Sequence, residues 1–527
     1  MQTSVLIIGS GMAGLVTAYR LAERGVDCVL VSKDERVIEE SNSVYAQGGI
    51  VYRADGESPR DLEQDILKAG DGISSQEAVH QLATEGVNLV KSLLIDDIGV
   101  RFDEEEGVLT LTREAAHQVH RIVHVKDHTG RAVMESLWRK VQAHPRIQVL
   151  SGHVLVDVLT TSHNCRGYEM KYRQNWCVGA YLYEIATGTV KKVLAPYTVL
   201  CTGGIGQIYA ENTNGEHAYG SGLAVANRAR VRIINARFVQ FHPTALWTPA
   251  GGRRFLISEA LRGEGARLFS QDGVALMESI EGGDLASRAV VSRAIMESLE
   301  QSGDRFVWLD LAHFYQGTIP IPERFPTIYE HCLKQGIDIT REPMPVTPAE
   351  HFFCGGIAVD LHGQTDLSGL FAAGEVACTG VHGANRLAST SLLECLTWGA
   401  KAADRIASAL EAQEAPETLQ RAYQLIDDWQ SFGQTICDPQ DVDQEKQQIR
   451  ELMWGKVGIL RSKEGLYEAR DALREMWRSI DQRYCQYALS ESLIELRHMV
   501  ETAYLIAYSA SSHTSLLEDN LGGHVLR

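Results

Sequence analysis

The spacing of apolar positions changes several times along the chain, and each change marks a different kind of element. Val5–Ile8 is a continuous apolar run, as expected of a strand buried on both faces. After a glycine-rich turn, Ala18, Leu21 and Ala22 recur at helical spacing, and a second apolar run follows at Cys28–Val31. Residues 4–34 are therefore predicted to form strand, turn, helix and strand, a βαβ unit. Further on, VGAYLYEI and KKVLAPYTVLCTGG flank the turn Ala186-Thr187-Gly188-Thr189. They predict a meander that rejoins the parallel sheet at Val199-Leu200-Cys201.

Between about residues 226 and 354 strands and helices mix, and GGIAVD and GLFAAGEVACTG then resume the sheet pattern. Beyond residue 405 the pattern turns helical. Leu466, Ala469, Leu473, Met476 and Ile480 form one stripe, and Leu493, Leu496, Val500 and Ala507 another. The expected fold is α/β with an α+β insert. A discontinuous Rossmann-like nucleotide-binding domain spans 1–225 and 355–405, a capping and substrate domain is inserted at 226–354, and a helical bundle occupies 406–527.

Composition narrows the classes of function. A formal charge of −18, with no dense basic run, argues against a nucleic acid partner. The ten cysteines contain no C-x-x-C pair, so neither zinc nor an iron–sulfur cluster is expected, and a reducing, cytoplasmic setting is. No apolar run approaches 18 residues, so no membrane span is expected.

The turn Gly9-Ser10-Gly11-Met12-Ala13-Gly14, between a strand and a helix, suits a dinucleotide pyrophosphate. Its glycines allow a tight turn, close backbone approach and helix packing, while the helix N-terminus attracts negative charge. The acid expected roughly 20 residues on, for a ribose hydroxyl, is absent. Ser32-Lys33 stands there instead, which speaks against NAD.

These features, with SVYAQGGI, TREAAH, CTGG, FVQFHPTAL, SEALRGEGA, HFFCGGIAVD, GLFAAGEVACTGVHGANRLASTSLLE and LMWGKVGILR in that order, resemble one flavoprotein family. It is the family of succinate dehydrogenase, fumarate reductase and L-aspartate oxidase, whose cofactor is FAD. The resemblance implies that Gly9, Ser10, Gly11, Met12, Ala13, Gly14 and Lys33 serve the adenosine and pyrophosphate half. It places Ser43, Val44, Tyr45, Ala46, Gln47, Gly48 and Gly49 beside the flavin, with Ser391 and Leu392 near its ring system, Glu375 as the ribose-side acid and Ser221 near FAD. Membrane-complex members carry a flavin-linked His in the segment matching residues 41–50, where this chain has none, so non-covalent FAD is expected.

The same resemblance implies the substrate. Glu114 matches an acid that meets a substrate ammonium, which favours oxidation of L-aspartate to iminoaspartate. His351 with Arg386, and His242 with Ser258, match clamps for the two carboxylates, while Arg288 and Glu259 match a proton-delivering pair. O₂ or fumarate would accept the electrons, succinate would bind as a related dicarboxylate, and quinolinate synthase would consume the product on the way to NAD. The alternatives are a soluble fumarate reductase or succinate dehydrogenase-type flavoprotein, or an FAD-binding relative with weakened binding. Several positions depart from the family: Ser221 for Asp, Arg237 for Glu, Ala115-Ala116 for two glycines, Ser287 and Ala289 for Pro and Asp around Arg288, Phe352 for Tyr and Thr390 for Asn.

Overall fold

The computed structural model describes residues 1–512, apart from 115, 250 and 432, together with the short strand Val525–Leu526. Ala115 and the extreme C-terminal side chains thus lie outside the described residues.

Strand β1 (Val5–Ile8), helix α1 (Met12–Glu23) and strand β2 (Cys28–Val31) form the predicted βαβ unit. Both strands are buried at every position, because the sheet is covered on both faces. Five parallel strands run in the order Leu370–Ala372, Tyr197–Leu200, β1, β2, Ile147–Leu150. The meander is present as the antiparallel strands His153–Thr160, Cys177–Glu184 and Thr189–Leu194, after which Tyr197–Leu200 enters the parallel sheet beside β1. The return strand Leu370–Ala372 lies 170 or more residues beyond its neighbour, so the sheet is closed by chain from both sides of the insert.

A second, seven-stranded sheet is built on the antiparallel pair Val239–Leu246 and Met344–Phe353. Pro243 falls inside the first of these strands, and the ladder is irregular between His242 and Ala245. A proline cannot donate to the ladder, so this break occurs where the chemistry of the chain requires it. A separate apolar cluster, including Leu246, Ile257, Val291, Ile295 and Val346, packs this region.

The helices Pro439–Val457, Lys463–Tyr484 and Glu491–Ser512 follow. Leu466, Ala469, Leu473 and Ile480 are fully buried, as are Leu493, Leu496, Val500 and Ala507. Met476 is half-buried at the edge of the same cluster. Apart from Leu493, which belongs to the main core cluster, these residues join the cluster that covers one face of the parallel sheet, so the last helix becomes part of the nucleotide-binding region's surround.

Candidate active site

One cavity runs from the glycine turn after β1 to the junction of the two sheets. At its first end Gly9 adopts φ +113°, and a Cβ there would lie 2.1 Å from Cys201 O. A Cβ on Gly14 would lie 1.9 Å from Gly9 O, so only glycine lets α1 start this close to the strand. Gly14 does not line the cavity, and neither does Val44, which is buried in the core. All the other proposed cofactor residues do: Gly9 to Ala13, Lys33, Ser43, Tyr45 to Gly49, Ser221, Glu375, Ser391 and Leu392. The N-terminus of α1 has no side-chain cap and no acid in its first turn, and Ser43 accepts only the Met12 N–H. This donor set fits the pyrophosphate of a dinucleotide.

Midway, Glu375 accepts from Phe353 N–H at 3.0 Å and from the Asn42 amide at 3.3 Å. Burial pushes its carboxyl up to about 7. Asn42 also reaches Asn214, whose amide donates to Glu350 at 2.8 Å. Glu350 is completely buried and lies next to His351 in sequence; burial and the nearby Glu375 hold its carboxyl well above the usual range.

At the far end His242, Ser258, Glu259, Arg288, His351, Arg386 and Glu114 come together, from strands, loops and a helix up to 272 positions apart. Arg288 begins the helix Arg288–Ser302 and donates to Glu259 at 2.7 Å. Burial would raise Glu259, but Arg288 and Arg262 outweigh it and keep the carboxylate ionised. His242 Nδ1 accepts from Thr244 N–H at 3.2 Å, which leaves the ring proton on Nε2. That atom is buried and has no hydrogen-bond partner among the described residues. Burial and Arg288 hold this imidazole far below its ordinary pKa, so it is a neutral donor lining the cavity. His351 is neutral for the same reasons, and its Nδ1 lies 2.9 Å from Thr213 Oγ.

Arg386 stacks over Phe352, 4.5 Å from the ring centroid, and its Nε also has no partner among the described residues. Burial and Arg288 lower it to about 10, which still leaves it cationic at neutral pH. Glu114 is buried, and burial raises its pKa against the pull of Arg288 and Arg386. Unsatisfied donors of this kind are costly unless something accepts from them. A dicarboxylate supplies acceptors at both ends.

Three buried side chains join the site without having been predicted. Gln240 takes a hydrogen bond from Arg288 at 3.3 Å and donates to the backbone carbonyl of Arg386 at 2.8 Å, tying the Arg288 guanidinium to the main chain at Arg386. It sits two residues before His242 on the same strand, and strand alternation could have found it. Thr213 supports His351, and Ser389 supports Glu114. Neither pairing has a sequence signal, since the partners are 138 and 275 positions away.

Comparison with known proteins gives concordant results. The FAD binding domain family matches residues 4–392. An L-aspartate oxidase of Ralstonia nicotianae is 39% identical over 518 residues, covering 97% of this chain and 93% of the relative. The L-aspartate oxidase of Yersinia pestis is 39% identical, covering 96% and 93%. Among solved structures, an E. coli quinol fumarate reductase FrdA variant superposes with a TM-score of 0.84 at 26% identity, covering 100% of this chain and 91% of that one. Mycobacterium smegmatis Sdh1 gives 0.80 at 26% identity, covering 100% and 89%.

Proposed function

This chain belongs to the L-aspartate oxidases, within the FAD-binding flavoproteins, and on that premise we propose how its cavity oxidises L-aspartate to iminoaspartate. FAD, when bound, supplies the hydride acceptor. The protein's own part is to bind, orient and balance charge. His242 Nε2 and Ser258 take one substrate carboxylate, and Arg386 with His351 takes the other. Glu114 pairs with the ammonium and receives its proton, for which a carboxyl raised by burial is suited. Arg288 and Glu259 hold a proton near the substrate carbon for the reverse demand, reduction of fumarate.

The observation that carries this reading is the buried Glu114 in a cavity otherwise rich in guanidinium. Arg288 and Arg386 line it with Glu114 and Glu259, and Arg262 ion-pairs with Glu259 at 3.4 Å, so these five groups together carry one net positive charge. Aspartate, with two carboxylates and one ammonium, brings one net negative charge. Succinate would leave an excess negative charge beside Glu114.

The test is anaerobic mixing of the FAD-loaded protein with L-aspartate and, separately, with succinate. Loss of the flavin's visible absorbance with aspartate is expected; loss with succinate alone would overturn the assignment. O₂ or fumarate as acceptor and quinolinate synthase as consumer of iminoaspartate belong to the same proposal. So does a cytoplasmic setting, which ten unpaired cysteines favour; among the described residues no helix is long and apolar enough to cross a membrane. We also propose the division into 1–225 with 355–405, 226–354, and 406–527, which the separate apolar cluster around Val291 and Val346 supports.

A further inference from the structure

The end of β2 is where a Rossmann-like site places an acid against the adenosine ribose. Here the buried Ser32 hydroxyl is used internally, with Ser10 Oγ at 3.1 Å and Val37 O at 3.3 Å. Glu375 is engaged midway along the cleft, by Phe353 N–H and the Asn42 amide. An acid from another part of the chain does line the cavity there. Glu495, on the last helix, lines the same cavity as the glycine turn and ion-pairs with Lys33, 462 positions away. Its other oxygen accepts from Lys446 at 2.7 Å.

The helix that carries it is fixed to the nucleotide-binding side. Arg228 and Asn227 both bond Glu501, Thr502 donates to Gly220 O at 3.1 Å, and His498 lies 2.9 Å from Leu155 O. Burial would raise the Glu495 carboxyl, but the two ammonium groups outweigh it and hold it below its ordinary value. A carboxylate has about four acceptor positions, and the lysines use two.

We propose that Glu495 accepts hydrogen bonds from the adenosine ribose hydroxyls of FAD, taking the place of the acid missing from β2. The inference rests on the FAD reading of the cleft. The C-terminal helical segment is then part of the cofactor site, and Lys33 acts there through Glu495. A ribose diol is a pair of neutral donors, and a charged acceptor held between two cations matches it without adding net charge.

The experiment uses the full-length protein stripped of FAD, with ADP as the probe, because ADP carries the ribose and pyrophosphate but no flavin. Calorimetry should show Glu495→Gln binding ADP and FAD about 10- to 100-fold more weakly than wild type. Glu491→Gln, which removes the outer partner of Lys33, should leave both affinities unchanged. ADP lacking the 2′ and 3′ hydroxyls should bind wild type and Glu495→Gln equally, and the apo-protein melting temperatures should agree. Glu495→Asp should fall between. Equal ADP affinity in wild type and Glu495→Gln overturns the proposal. So does an equal loss for the dideoxy probe, which would mean that Glu495 only braces the helix. Either result leaves bleaching by L-aspartate untouched, so the catalytic reading stands or falls separately.

Discussion

The Ser389 hydroxyl donates to Glu114 Oε2 at 2.7 Å across 275 positions of sequence. Ser389 adopts φ 58°, a left-handed conformation that costs a non-glycine residue free energy. Its Oγ also accepts from Gly49 N–H at 3.3 Å. A Cβ on the adjacent Gly48 would lie 2.6 Å from Glu114 Oε1. The strained serine and the bare glycine together fix one position for the carboxylate.

Ser389→Ala should therefore weaken aspartate turnover while leaving the fold intact. Burial raises the Glu114 pKa and the serine hydrogen bond opposes that rise. Without the hydroxyl the pKa climbs further, so the acid limb of the kcat/KM profile for aspartate should move to higher pH. A hydrogen bond to a charged group contributes about 1.5–3 kcal/mol, and a loss of at least about 10-fold is expected below the shifted limb. An unmoved pH profile would show that Ser389 does not set the ionisation of Glu114.

Glu114→Gln should cost aspartate oxidation about 10- to 150-fold and leave fumarate reduction nearly intact, since fumarate has no ammonium. Arg288→Leu should show the reverse preference, because only fumarate reduction requires a proton on carbon. Steady-state assays of both reactions on both variants decide this. Parallel losses in all four assays would make the two residues general supports of the site.

Stability of the apo-protein should carry a signature of Glu375. Its carboxyl titrates near 4.5 ordinarily and about 7 in the fold. A raised folded value means that the native state holds the proton more tightly. The contribution is full below about 4.5 and declines as pH rises to about 7. Relative to Glu375→Gln, wild type should lose on the order of 2–3 kcal/mol over that window. Denaturant titrations at several pH values measure the difference, and a constant offset would contradict it.

Flavin should leave the polypeptide when the protein is precipitated by acid, because residues 41–49 contain no histidine. Ser221 stands where the resemblance places an Asp near FAD, so binding is expected to be loose and activity to rise on added FAD. Flavin fluorescence in the pellet rather than the supernatant would refute the first expectation. Full occupancy after dialysis would refute the second.

Local order was written in the sequence. The βαβ unit, the meander and the helical stripes follow from apolar spacing, because period and side-chain size act over a few residues. Linear motifs also marked His242, Arg288 and Arg386. What they could not mark was which distant groups would meet. The pairing of Ser389 with Glu114 depends on how the chain returns to its first sheet after the insert. That of Glu495 with Lys33 depends on the last helix packing against the nucleotide-binding region. Such contacts arise when elements bury their apolar faces against one another, and burial then decides the charge state of Glu114, Glu375 and Glu350. Spacing along the chain carries no record of either, because desolvation is a property of the packed interior.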